Sequence, residues 1–162
     1  MSLITQCSNF FILFFATGLG SGLIPGLPGT YGSLVGLGIV FLLRPFSFFS
    51  LELFTGAIIP FSMIVSHQAA KIFHQADPGK IVIDEIAGLW VTLLFLPRNF
   101  SWKAGLIAFL LFRVFDIAKP FPIRLLDQKV KGGIGIVADD LLAGVFAGLL
   151  YLLLTRVFHF TF

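Results

Sequence analysis

Six apolar segments, broken by short turns of proline, glycine and charge, take up nearly the whole chain. Such punctuation predicts helices, because Pro and Gly stop a helix where they cluster. The segments do not repeat one another. Only 12% of the 162 residues are charged and 57% are hydrophobic, with a mean hydropathy of +1.00. A soluble domain carries about 25% charged residues. The expected fold class is therefore all-α, a polytopic helical membrane protein forming one domain over residues 1–162. The 21 Phe residues suit a lipid-facing surface better than an aqueous core. With so few charges, the net charge of +3 is a topology signal and not a sign of nucleic-acid binding. The single Cys7 excludes an internal disulfide, and no His or Lys stands near it to activate the thiol. The N-terminus has no basic stretch before FFILFFA and no A-x-A site after it, so it reads as retained.

The first segment, about residues 9–17, is too short to span alone, since a span needs about 20 residues. It runs into GLGSGLIPGLPGTYGS, whose Gly and Pro content forbids regular helix. Such backbone survives at membrane depth only where protein or a wet cavity covers it, which predicts a re-entrant or active-site loop. Further helices are expected from Thr30 or Tyr31 to Leu43, Leu51 to His74 with a kink at Pro60, Asp84 to Leu96, Trp102 to Ala118 and Ile134 to Phe158. That makes about five membrane helices, two of them short, with IRLLDQKVK (residues 123–131) as an amphipathic interfacial segment.

Alternation of sides turns this order into a site. His67, Lys71, Lys80, Asp84 and Glu85 fall at one face. The return of the fifth helix brings Arg113, Asp116 and Lys119 to it, and the last helix leaves from it carrying Asp139 and Asp140. The Gly/Pro loop falls there too. Of the eight acids, five converge: Asp84, Glu85, Asp116, Asp139 and Asp140, while Glu52 lies opposite. Lys71, Lys80, Lys119, Arg124, Lys129 and Lys131 outnumber the basic residues of the other face, which predicts that the acidic face is cytoplasmic.

Acids at membrane depth cost several kcal/mol unless something offsets them. Hard oxygen ligands on separate helices suit Mg²⁺ or Mn²⁺. An ion-pair network, or acids favoured at helix starts, accounts for the same residues. Asp84 and Glu85 stand about 100° apart around a helix, so one is expected as a direct ligand and the other as its support. Arg113 and Asp116 share a face at i, i+3, which allows an intrahelical salt bridge or a phosphate contact through Arg113. The loop hydroxyls Ser21, Thr30 and Ser33 suit a phosphate cradle or a plain packing loop. His67 suits proton transfer, or is an ordinary interfacial histidine. His74 and His159 read as boundary residues. Asp127 reads as a partner of Arg124, Lys129 and Lys131.

Four stretches in order, GSGLIPGLPGTYGS, IVIDEIAGLW, FRVFDIAKPFPI and KGGIGIVADDLLAG, resemble the phosphatidylglycerophosphatase A family over about residues 17–150. The resemblance implies a Mg²⁺-dependent hydrolase of the bacterial inner membrane that removes the terminal phosphate of phosphatidylglycerophosphate. Its substrate is then a phospholipid in the bilayer, and the site faces the cytoplasm. It makes Asp84, Glu85, Asp116, Asp139 and Asp140 metal or catalytic candidates, and Arg113 and Lys119 phosphate ligands. The loop from Gly20 to Ser33, with Gly20, Ser21, Gly29, Thr30, Gly32 and Ser33, lines the phosphate. One of the carboxylates, or His67, serves as general base. No S-G-H motif of type-2 phosphatidic acid phosphatases and no D-G-x₂-A-R of CDP-alcohol phosphotransferases is present. The competing class is a small cation channel or transporter using the same acids. The oligomeric state is not legible.

Overall fold

The computed structural model describes residues 3–46 and 50–158; His159 lies outside them. Among the described residues the chain is all-helical: α1 (Leu3–Ala16), α2 (Pro28–Leu43), α3 (Leu51–Phe73), α4 (Ile83–Leu93), α5 (Trp102–Ala118), α6 (Ile123–Lys129) and α7 (Gly132–Phe158), with one 3-10 turn at Ser21–Leu23. The helix boundaries follow local chemistry. Pro28 opens α2, where a missing N–H costs nothing. Ser50 caps α3 by accepting from the Leu53 N–H, and Ser101 caps α5 by accepting from the Ala104 N–H. α3 continues through Pro60 and ends at His74 in the left-handed region, and Lys119 ends α5 the same way. α1 starts well before the expected residue 9, because LITQC is apolar enough to extend it. α4 stops at Leu93, short of the expected Leu96, with a tight turn ahead of Pro97.

Among the described residues two helices, Leu51–Phe73 and Gly132–Val157, are long and apolar enough to cross a membrane. Thr5–Ala16 and Pro28–Leu43 are apolar but shorter. α4 has 11 residues, about 16 Å at 1.5 Å per residue. Every one of its residues except Glu85 is buried, because α2, α3, α5 and α7 all pack around it. The main core forms on this central helix: Ile86, Leu89, Trp90 and Leu93 meet Leu37 and Val40 of α2, Phe109 and Phe112 of α5, and Ala143 and Ala147 of α7. Two of its polar side chains bond across helices. The Trp90 indole N–H donates to the Gly36 carbonyl at 2.9 Å, and the Thr92 hydroxyl reaches the Gly144 carbonyl at 3.1 Å.

Glycine sets how closely α4 and α7 approach. A Cβ on Gly88 would lie 2.6 Å from the Asp140 carbonyl oxygen, and one on Gly144 would strike the Gly88 carbonyl. The two backbones therefore approach one another directly at this crossing. At the end of the bundle where α4 stops, Arg44 donates to the carbonyls of Phe100 (2.8 Å) and Arg98 (3.0 Å) and lies over the Phe100 ring. Glu52 pairs there with Arg98 at 3.2 Å, so it stands at the end opposite Asp84, as the alternation of helices predicts.

Candidate metal centre and active site

The loop after α1 fixes where α4 begins. The Val82 N–H donates to the Ala16 carbonyl at 2.8 Å. A Cβ on Gly22 would strike the Lys80 carbonyl, and one on Gly32 would come 2.5 Å from the Val82 Cβ. The loop thus wraps the strand of chain that enters α4, and the packing role accounts for Gly22 and Gly32. The Ser21 hydroxyl donates to the Gly18 carbonyl (2.8 Å) and the Ser33 hydroxyl to the Gly29 carbonyl (2.8 Å), so both are engaged within the loop and helix. Gly20 holds φ 90 with open space beside it. Gly29 differs from the rest. A Cβ there would strike Glu85 Oε1 and sit 2.9 Å from Arg113 Nη1. The first turn of α2, with Gly29 and the half-buried Thr30, therefore abuts both a carboxylate and a guanidinium. First-turn N–H groups have no partner within their own helix, so they favour an anion.

Asp84 and Glu85 occupy the first turn of α4, and Asp140 lies on α7. Each offers an oxygen within 4.8 Å of the others. Both members of the adjacent pair reach the cluster, although they start about 100° apart around the helix axis. Asp84 and Asp140 are nearly fully buried, and Glu85 Oε2 is a buried oxygen with no hydrogen-bond partner. The charges of Asp116, Asp84, Glu85 and Asp139 all act on Asp140. Carboxylates this close repel one another unless a cation lies between them. The orphaned oxygen and the all-oxygen donor set fit a hard divalent cation.

Two basic side chains, with three ion pairs between them, frame this trio. Arg113 Nη1 donates to Asp116 Oδ2 at 2.5 Å, the i, i+3 pair that the spacing allows, while Arg113 Nε is buried without a partner. Lys119 Nζ reaches Asp139 Oδ2 at 2.5 Å and Asp127 Oδ1 at 2.6 Å. Half-burial works to lower the Lys119 pKa, but the bonds to Asp127 and Asp139 outweigh it and raise it above the ordinary lysine value. The five converging acids thus form a tight trio with Asp116 and Asp139 beside it, each held by a base.

His67 is exposed on α3, against Gly132 and Gly133 at the start of α7, and it is not part of the trio. Asp127 pairs with Lys119, not within its own basic segment as its sequence neighbours suggest. That pairing spans a Pro-containing turn and leaves no periodic trace in the sequence. The Gly88–Gly144 crossing was also missed, although DEIAG and DDLLAG place each glycine one turn after an acid.

A family model described as phosphatidylglycerophosphatase A matches residues 14–155. The chain is 44% identical to the phosphatidylglycerophosphatase A of Escherichia coli over 84% of this chain and 79% of that one. It is 42% identical to the phosphatidylglycerophosphatase A of Haemophilus influenzae, over 82% and 81% of the two chains. A Bacteroides thetaiotaomicron protein named "Putative phosphatidylinositol-3-phosphatase" is 38% identical over 88% of this chain and 92% of its own. No solved structure gives a significant match. These relatives give no support to a channel or transporter. Matched from residue 14 to residue 155, the chain belongs to the phosphatidylglycerophosphatase A family.

Proposed function

We propose that this protein hydrolyses the terminal phosphate of phosphatidylglycerophosphate, yielding phosphatidylglycerol and inorganic phosphate. The observation that carries the reading is the facing of two opposite chemistries in one place. Asp84, Glu85 and Asp140 form an acidic trio, and Arg113 with the first turn of α2 forms an anion site against Glu85. A phosphomonoester held with a divalent cation needs both. The names of the Escherichia coli and Haemophilus influenzae relatives supply the substrate.

In this reading Asp84, Glu85 and Asp140 hold Mg²⁺, with Asp116 and Asp139 in support. Bound there, Mg²⁺ supplies positive charge against the phosphoryl oxygens and makes water more acidic. Arg113 and the N–H groups of Gly29 and Thr30 bind and orient the phosphate, and Lys119 stands at the rim, held between Asp139 and Asp127. Catalysis of this kind is mostly positioning and charge stabilisation. A carboxylate of the cluster is the general base that the geometry favours over the exposed His67. The protein is multi-pass, with about five membrane helices, the enclosed α4 among the short ones. Large apolar side chains face outward on α1, α3, α5 and α7, among them Phe10, Ile64, Leu110 and Leu153, which suits a surface in lipid. Lys71, Lys80, Arg124, Lys129 and Lys131 are exposed at the acidic end, which supports a cytoplasmic site in the bacterial inner membrane.

The test is phosphate release by the purified protein in detergent with Mg²⁺. Turnover of phosphatidylglycerophosphate is expected, well above that of phosphatidylinositol 3-phosphate. No release from either lipid would refute the reading. Preference for the inositol lipid would reassign the substrate.

A further inference from the structure

Lys119 is shared between carboxylates on two helices. Its backbone sits in the left-handed region just past α5, and its ammonium lies 2.5 Å from Asp139 Oδ2 on α7 and 2.6 Å from Asp127 Oδ1 on α6. Asp139 is buried, whereas Asp127 lies on the outer side of the bundle. The other oxygen of Asp139, Oδ1, is buried without a hydrogen-bond partner. A charge count shows what Asp127 changes. Lys119 and Asp139 alone sum to zero. With Asp127 the three sum to one negative charge, and Asp139 adjoins Asp140 of the acidic trio. A bare lysine beside Asp139 would compete with any cation for that carboxylate.

We propose that Asp127 is a positioning residue of the cation site, which occupies Lys119 from α6 so that Asp139 keeps its negative charge for the acidic trio. This rests on the reading that the trio holds a divalent cation. It also ties α6 to the site: Ile123 of that helix is fully buried, while Arg124 and Leu125 are exposed. Seating of α6 is then part of assembling the site.

The experiment measures Mn²⁺ binding to the full-length protein in detergent, without lipid substrate, from the loss of the free-ion signal in electron paramagnetic resonance. Asp127→Asn is expected to weaken binding at least fivefold. Asp127→Glu is expected to bind within twofold of the parent. Lys119→Gln alone is expected not to weaken binding, and adding it to Asp127→Asn is expected to bring binding back within twofold of the parent. A purely structural role for the pair would make the two losses add. The proposal is overturned if Asp127→Asn binds like the parent, or if the double variant is as weak as Asp127→Asn. If Asp127→Asn does not fold, Lys119→Gln decides alone, because weakened binding there contradicts the charge count. Absence of Mn²⁺ binding by the parent protein would bring down the cation reading itself. Binding by the parent with the wrong order among variants would remove only the role of Asp127.

Discussion

Neutralising one carboxylate at a time separates charge from shape. Asp84→Asn, Asp116→Asn and Asp139→Asn are each expected to lower phosphate release by roughly 100-fold or more while leaving the fold intact. Their effects on stability should divide. Asp84 sits among like charges, so Asp84→Asn should raise the unfolding temperature of the metal-free protein and abolish its rise on adding Mg²⁺. Asp116 and Asp139 are each paired with a base, so their Asn variants should lower it. Circular dichroism melts with and without Mg²⁺ check both signs. The acids themselves were legible in the sequence, because a carboxylate inside an apolar run has few cheap explanations. Which oxygen meets which partner was not legible. Asp127 illustrates the gap: its sequence neighbours are Arg124, Lys129 and Lys131, yet its partner is Lys119 across the turn.

At the scale of the helices, the order of turns and breakers carried most of the information. Proline and glycine mark several helix boundaries within a few residues, the ends of α2 and α5 and the starts of α2, α6 and α7 among them, and alternation alone brings the starts of α2, α4 and α7 to the end of α5. The depth of α4 was not legible, because an 11-residue apolar helix reads the same whether it lies at the surface or at the centre. Nor was the division of labour in the glycine loop, where Gly22 and Gly32 pack on the chain entering α4 and Gly29 abuts Glu85 and Arg113. Gly29→Ala should therefore depress phosphate release strongly with little loss of helicity. Gly22→Ala should instead destabilise the protein by about 1–3 kcal/mol, since its Cβ meets backbone. Trp90→Phe removes the bond to the Gly36 carbonyl and should cost about 1 kcal/mol in a denaturant or thermal melt.

For the whole molecule, the two ends of the bundle carry different kinds of charge. At the far end Arg98 and Glu52 form a largely exposed pair, and Arg98→Ala should change stability by no more than about 0.5 kcal/mol and leave activity alone. At the acidic end, chelation with EDTA should remove activity and added Mg²⁺ should restore it. The alternation of helices made this polarity legible; the close crossing that sets the spacing of the acids was present in the sequence only as DEIAG and DDLLAG. That crossing makes the distance between Asp84 and Asp140 a property of the main chain. Where side chains interleave, a gap can relax by changing rotamers. Where Gly88 and Gly144 bring backbone against backbone, the gap is rigid. If the trio holds a cation as proposed, ion size is then gauged by stiffness as well as by ligand chemistry: Ca²⁺, whose oxygens sit at about 2.3–2.6 Å against about 2.0–2.1 Å for Mg²⁺, is expected to bind this fixed spacing less tightly. Gly144→Ala, by wedging the crossing open, should shift the balance of binding toward the larger ion, so that one methyl group retunes a metal preference from a position that touches no metal.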